Sequence, residues 1–271
     1  MTESEGEHSR QEPHWPLSAE LSRLHEILIH YAVEVQKVAT DFQTRRPHIS
    51  YQALAILSMR GVTIHRSIRD LCELGWTPVT SILIRTLVDL YVNVLAIVIS
   101  PADSEFMAFR YLLSFALSRV NDTSLGLEVR EKHRKEIEGA IAHLPESDIK
   151  RAEALLGDKN RKNYWYQPEY ANPTALLKRT TGDMPFLYRV LSGSTHGGTV
   201  GLGFLDDQPD DFDINQREHP RRTPLAIAFS SRILLELTFL RDGAENTGQT
   251  AGYYFILNEV YLPLRKVIEG A

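Results

Sequence analysis

The chain has 271 residues, 43% of them hydrophobic and 24% charged, enough to bury a full core in one large domain or two small ones. Its 30 basic and 35 acidic side chains leave a net charge of −5, which excludes a global basic field for nucleic acid or acidic lipid, so any such contact has to be local. A single cysteine, Cys72, excludes an internal disulfide; among Ile68, Leu71 and Leu74 it reads as core filler.

The first residues, MTESEGEHSRQEPHWP, are polar and acidic and lack the apolar stretch of a secretory signal. Residues 1–16 read as a disordered tail before a single helical domain over 17–271, with a cytoplasmic location expected. From Leu17 the apolar positions run Leu21, Leu24, Leu28, Tyr31, Val35, Val38 and Phe42, alternating steps of four and three. That spacing predicts a long amphipathic helix with a coiled-coil-like seam, ending near Arg45-Arg46-Pro47. A homodimer is expected from the seam, although the same seam suits packing within one chain.

A second helix is predicted from about Ile49 to Glu73, with Gly75 as its stop. The third, about Pro78 to Ile99, starts after Thr77 as N-cap with proline at the first helical position. It is apolar nearly all round, which places it at the centre of a bundle. Arg85 and Asp89 inside it argue against a membrane span, because charges in hydrocarbon are costly. No membrane partner is therefore expected.

Further helices are predicted at about Ala102 to Asn121, Leu127 to His143, Glu146 to Leu156, Pro173 to Thr181, Pro185 to His196, Pro224 to Arg241 and Gly252 to Ile268. No segment sustains strand alternation, so the fold class is all-α, a single multi-helix bundle. A long loop rich in glycine and aspartate, 197–220, follows His196; loops of that length in a compact domain are commonly lids or disordered.

Arg85, Asp89 and Asn93 fall at i, i+4 and i+8, one face of the third helix. Buried polar groups need partners, and His65, Arg69 and Asp70 on the second helix are candidates. One reading is a salt-bridge network that sets helix register; the other is the polar lining of a ligand pocket between helices. Both stand on the sequence alone.

The run FLYRVLSGSTHGG holds the best candidate active site. Arg189, Ser192 and His196 fall at i, i+3 and i+7, with Tyr188 beside them, and Gly197-Gly198 break the helix. An arginine that forks onto phosphate, a histidine that titrates near neutrality, a hydroxyl and a phenol suit phosphodiester cleavage by an internal 2′-hydroxyl without a metal. The plainer reading is a histidine satisfied by the helix dipole beside ordinary helix-end residues.

The Arg189 to His196 spacing resembles the R-x4-6-H signature of HEPN domains, helical bundles of prokaryotic toxin and phage-defence ribonucleases. That resemblance implies a metal-independent endoribonuclease, often dimeric, with His196 as acid and base and Arg189 on the phosphate. Over most of its length the chain also resembles a family of uncharacterised bacterial helical proteins. Its elements here are Leu83, Arg85, Leu87 and Asp89 on the third helix, and Tyr188, Ser192, His196 and Gly197 downstream.

A basic and aromatic segment precedes the candidate site. Between Lys150 and Arg189 eight basic residues face four acidic ones, with Lys162, Tyr164, Trp165 and Tyr166 at its centre. Rings stack on bases while cations hold phosphate, which suits single-stranded RNA; the same rings equally suit anchoring a loop to the core. No CxxC, HExxH or paired Glu-x-x-His pattern is present, and Glu26 with His30 or Glu131 with His133 are isolated pairs, so no metal is expected. No phosphate-cradling glycine loop appears, since GLG at Gly201 to Gly203 opens no helix, and no cofactor is expected. The competing functions are an RNA-cleaving effector, a non-catalytic sensor or adaptor for a small molecule or partner protein, and a hydrolase or lyase on a non-RNA substrate.

Overall fold

The computed structural model describes residues 18–45, 49–74, 79–120, 122–142, 144–157, 165, 172–180, 184, 185, 188 and 222–270. Among these the regular structure is helical with no strand, so the fold is all-α. The elements are α1 (Ser18–Arg45), α2 (Ile49–Glu73), α3 (Thr80–Val98), a short 3-10 turn (Pro101–Asp103), α4 (Ser104–Val120), α5 (Leu127–Ala142), α6 (Glu146–Gly157), α7 (Pro173–Leu177), α8 (Arg222–Glu245), α9 (Thr250–Phe255), a π segment (Ile256–Tyr261) and α10 (Leu262–Gly270).

The seam of α1 is used within the chain. Leu21, Leu24, Leu28, Tyr31 and Val35 are each 5% exposed or less, packed toward α8 and α2. Between Leu21 and Val35 the seam is thus covered by helices of the same chain. At the centre α3 lies against α2 and α8, and the three helices converge at Gly61. A Cβ on Gly61 would meet Leu234 and Leu237 of α8 at 3.4 Å and Leu87 of α3 at 3.6 Å. Cys72 is buried in the same core.

Two helices, α3 and most of α8, have the length and apolarity that a membrane span requires, and more than half of each is buried inside the fold. Being enclosed by neighbours accounts for an apolar surface nearly all round α3. A smaller cluster, Phe106, Phe109, Leu113, Ile137, Ile141 and Ala152, joins α4, α5 and α6. The Glu105 side chain ties this unit to the main core. It accepts hydrogen bonds from the backbone N–H groups of Ile49 at 2.9 Å and Ser50 at 3.3 Å, and from the Ser50 hydroxyl, capping α2 from α4.

Several boundaries differ from those predicted. The first described residue of α3 is Thr80, with Val79 before it making no side-chain cap; Thr77 and Pro78 lie outside the described residues. Helix α8 runs one turn past Arg241, through Gly243, because Arg241 and Glu245 form an ion pair inside it with both side chains 1% exposed. It stops where Asn246 takes φ 49°, and the Thr247 N–H bonds back to the Asp242 carbonyl at 3.2 Å. Helix α7 ends at Leu177, as the chain tightens into bonds from Arg179 N to Leu176 O and Thr180 N to Leu177 O. The predicted helix 252–268 carries a π turn, where Leu262 N–H bonds to Leu257 O. Pro263 follows; it has no N–H and crowds the i−4 carbonyl, and the wider turn accommodates it.

Candidate functional site

The period of α3 puts Arg85, Asp89 and Asn93 on one face, and what covers that face comes from beyond α6. Arg85 forks onto Asp89, with Nη2 to Oδ1 at 3.1 Å and Nε to Oδ2 at 3.3 Å. The same guanidinium lies 3.7 Å from the centroid of the Tyr188 ring, and Nη1 donates to the Tyr188 carbonyl at 3.3 Å. Arg85 thus holds Tyr188 both by its ring face and by its backbone. Tyr188, the described member of the second polar cluster singled out in the sequence, meets the α3 stripe at this contact.

Asn93 extends the same arrangement by one turn. Its Oδ1 accepts from Trp165 Nε1 at 2.8 Å, while Arg110, 1% exposed, donates Nη2 to the Trp165 carbonyl at 2.7 Å. The Trp165 ring meets Tyr111 edge to face, with centroids 5.3 Å apart. Trp165 is therefore packed onto the core. Burial raises the Asp89 carboxyl pKa, while Arg85 pulls it down.

His65 and Arg69 stand apart from this face. His65, fully buried, has Nε2 3.0 Å from His25 Nδ1 and Nδ1 2.9 Å from Ser230 Oγ. Arg69 reaches Glu73 on its own helix at 2.7 Å. The reason is angular: His65 projects with Gly61 and Ile68 from the buried side of α2 toward α1 and α8. Arg189, Ser192, His196, Lys162, Tyr164 and Tyr166 lie outside the described residues, as does the 197–220 loop.

The histidine chain has one arrangement that satisfies every contact. Ser230 Oγ–H donates to the Ile227 carbonyl at 3.0 Å, so it accepts from His65 Nδ1–H, and His65 Nε2 accepts from His25 Nδ1–H. His65, donating from Nδ1 and accepting at Nε2, is then neutral. Burial, followed by Arg69 and Arg66, lowers the His25 pKa to about 4; burial and His25 lower that of His65 to about 3. His25 escaped the sequence reading, although its place between Leu21 and Leu28 puts it on the buried side of α1.

A second group the sequence reading missed lines a cleft of about 240 Å³ between α1, α2 and α8. Arg241 lies at its floor, bonded to Glu245 at 2.8 Å and to the Gln36 side chain. Among the described residues no three His, Cys, Asp or Glu side chains are grouped to hold a metal ion.

An all-α bundle with an Arg–Asp–Asn face roofed by a tyrosine and a tryptophan is the class that fold and site define. The chain belongs to a family of unknown function, DUF5677, whose model matches residues 51–213, more than half of it. No curated protein and no solved structure matches it.

Proposed function

We propose that the chain is a metal-independent endoribonuclease of the HEPN-like kind, acting as a toxin-type effector. The observation that supports this reading is the Arg85 guanidinium seated on Tyr188, which joins the α3 stripe to the start of the segment carrying Arg189, Ser192 and His196.

His196 takes the proton of a ribose 2′-hydroxyl and returns one to the departing 5′-oxygen. The O2′–P bond forms as the P–O5′ bond breaks, leaving a 2′,3′-cyclic phosphate and a 5′-hydroxyl. Arg189 stabilises the charge on the phosphorane oxygens, with Ser192 as a further donor. Tyr188, whose ring face is covered by Arg85, supports these groups as a positioning residue. Lys162, Tyr164 and Tyr166 hold the strand leading into the site.

The test is cleavage of a defined single-stranded RNA in EDTA, with the ends analysed. The expected result is cyclic-phosphate ends from the parent chain and loss of cleavage in His196→Ala, whose circular dichroism and melting temperature match the parent. Cleavage that persists in His196→Ala, or none by the parent, overturns the reading. RNA binding or partner capture without turnover would replace it with the adaptor function.

A further inference from the structure

Two bonds from the α3 face run to distant points of the chain between α6 and α8. Asn93 Oδ1 accepts from Trp165 Nε1, 72 residues on, and Arg85 Nη1 donates to the Tyr188 carbonyl, 103 residues on. Each point is held twice, once at its ring and once at its carbonyl. Tyr188 takes both holds from Arg85; Trp165 takes one from Asn93 and one from Arg110.

A ring contact alone leaves the backbone free to swing, whereas a held carbonyl also orients the planar peptide that leads to the next residue. After Trp165 the next residue is Tyr166, and after Tyr188 it is Arg189. The first is assigned above to the RNA strand and the second to the phosphate. Asn93 and Arg85 lie eight residues apart on one face, so the two anchors are about 12 Å apart along α3. Arg110 is 1% exposed, a costly cation to bury, and its 2.7 Å bond to the Trp165 carbonyl is of the strong, charge-assisted kind.

We infer that Asn93 and Arg110 are positioning residues for RNA binding: acting through Trp165, they hold the strand-binding segment at a set distance from the segment that Arg85 holds. The inference rests on the proposed function for the nature of the strand. Neither residue touches RNA. A segment held in advance has less ordering left to pay on binding, so loosening the hold weakens affinity.

The experiment uses the full chain carrying His196→Ala, in EDTA, and reads binding of a short labelled single-stranded RNA by fluorescence anisotropy. Added to that background, Asn93→Ala and Trp165→Phe, which keeps a ring, are each expected to weaken binding about fivefold, the value of one hydrogen bond. Combined, they are expected to weaken it no more than either does alone, because both remove the same bond. Arg110→Met is expected to weaken binding further, with part restored in Arg110→Lys; should Arg110→Met fail to fold, the Asn93 and Trp165 variants decide. Glu105→Ala, a loss of stability elsewhere in the fold, is expected to leave affinity unchanged, and in chains that retain His196 the Asn93 and Trp165 substitutions are expected to raise KM.

Parent-like binding by the Asn93→Ala chain, additive losses in the combined variant, an equal loss in Glu105→Ala, or no RNA binding at all overturns the inference. Asn93-dependent binding of RNA that the parent leaves uncut overturns the nuclease reading and leaves this inference standing. Cleavage that is lost in His196→Ala, with binding indifferent to Asn93, does the reverse.

Discussion

His25 hands its Nδ1 hydrogen to Nε2 of His65 across 3.0 Å, linking α1 to α2 through two rings that are both neutral in the fold. Their depressed pKa values make stability depend on pH. Between the ordinary histidine value of 6.5 and about 4, the unfolded chain binds protons that the folded chain refuses. The contribution is therefore complete above pH 6.5 and is lost as pH falls toward 4, on the order of 3 kcal/mol for His25 alone. Glu245, raised by burial to about 6, acts in the opposite direction between that value and 4.5, and the two histidines outweigh it. Urea midpoints should fall from pH 7.5 to pH 4.5, and fall less in His25→Asn. A midpoint that does not move over that range would contradict the neutral pair.

Trp165 is held by its indole N–H on Asn93 and by its carbonyl on Arg110. Trp165→Phe keeps a ring against Tyr111 and removes the donor, so a loss of about 1 kcal/mol is expected, the net value of one hydrogen bond. Denaturation of parent and variant at one pH measures it. Equal stabilities would show that the Asn93 contact contributes nothing.

Glu105 caps α2 from another helix, so its removal should act on two elements at once. Glu105→Ala is expected to destabilise by about 1–2 kcal/mol, the range for a lost cap. Hydrogen exchange adds the distinguishing detail: amides at the start of α2 and in α4 should lose protection together, whereas loss confined to α4 would show that the cap is not what anchors α2.

Gly252 lies against the Tyr31 ring, where an added Cβ would sit 3.0 Å from Cδ2. Gly252→Ala should therefore cost about 1–3 kcal/mol despite the better helix propensity of alanine, because a buried ring has to move. A gain in melting temperature would mean that Tyr31 yields freely.

Much of the bundle was legible in the spacing of apolar residues. Leu21 to Val35 mark the buried side of α1, and the unbroken apolarity of α3 marks its enclosure by α2 and α8. The stripe was legible too, because Arg85, Asp89 and Asn93 obey the helical period. Their partners were not: Tyr188 and Trp165 are far along the chain, and period says nothing about which distant segment lies over a face. His65 was visible as an interior polar residue, yet its partner, His25, looked like one more polar position on a long helix. Arg241 and Glu245 fell at and beyond the margin of the predicted helix, and the helix runs on through their buried pair.

The convergence of α2, α3 and α8 at Gly61 also separates what is inherited as a recognisable family segment from what folds. Residues 51–213 contain the Arg85 face and Tyr188, but neither α1 nor α8. Cut out at those borders, α3 would carry Leu87 into water with no Leu234 or Leu237 to meet it. A chain that shares this segment needs apolar cover for the same side of α3, which α8 supplies here.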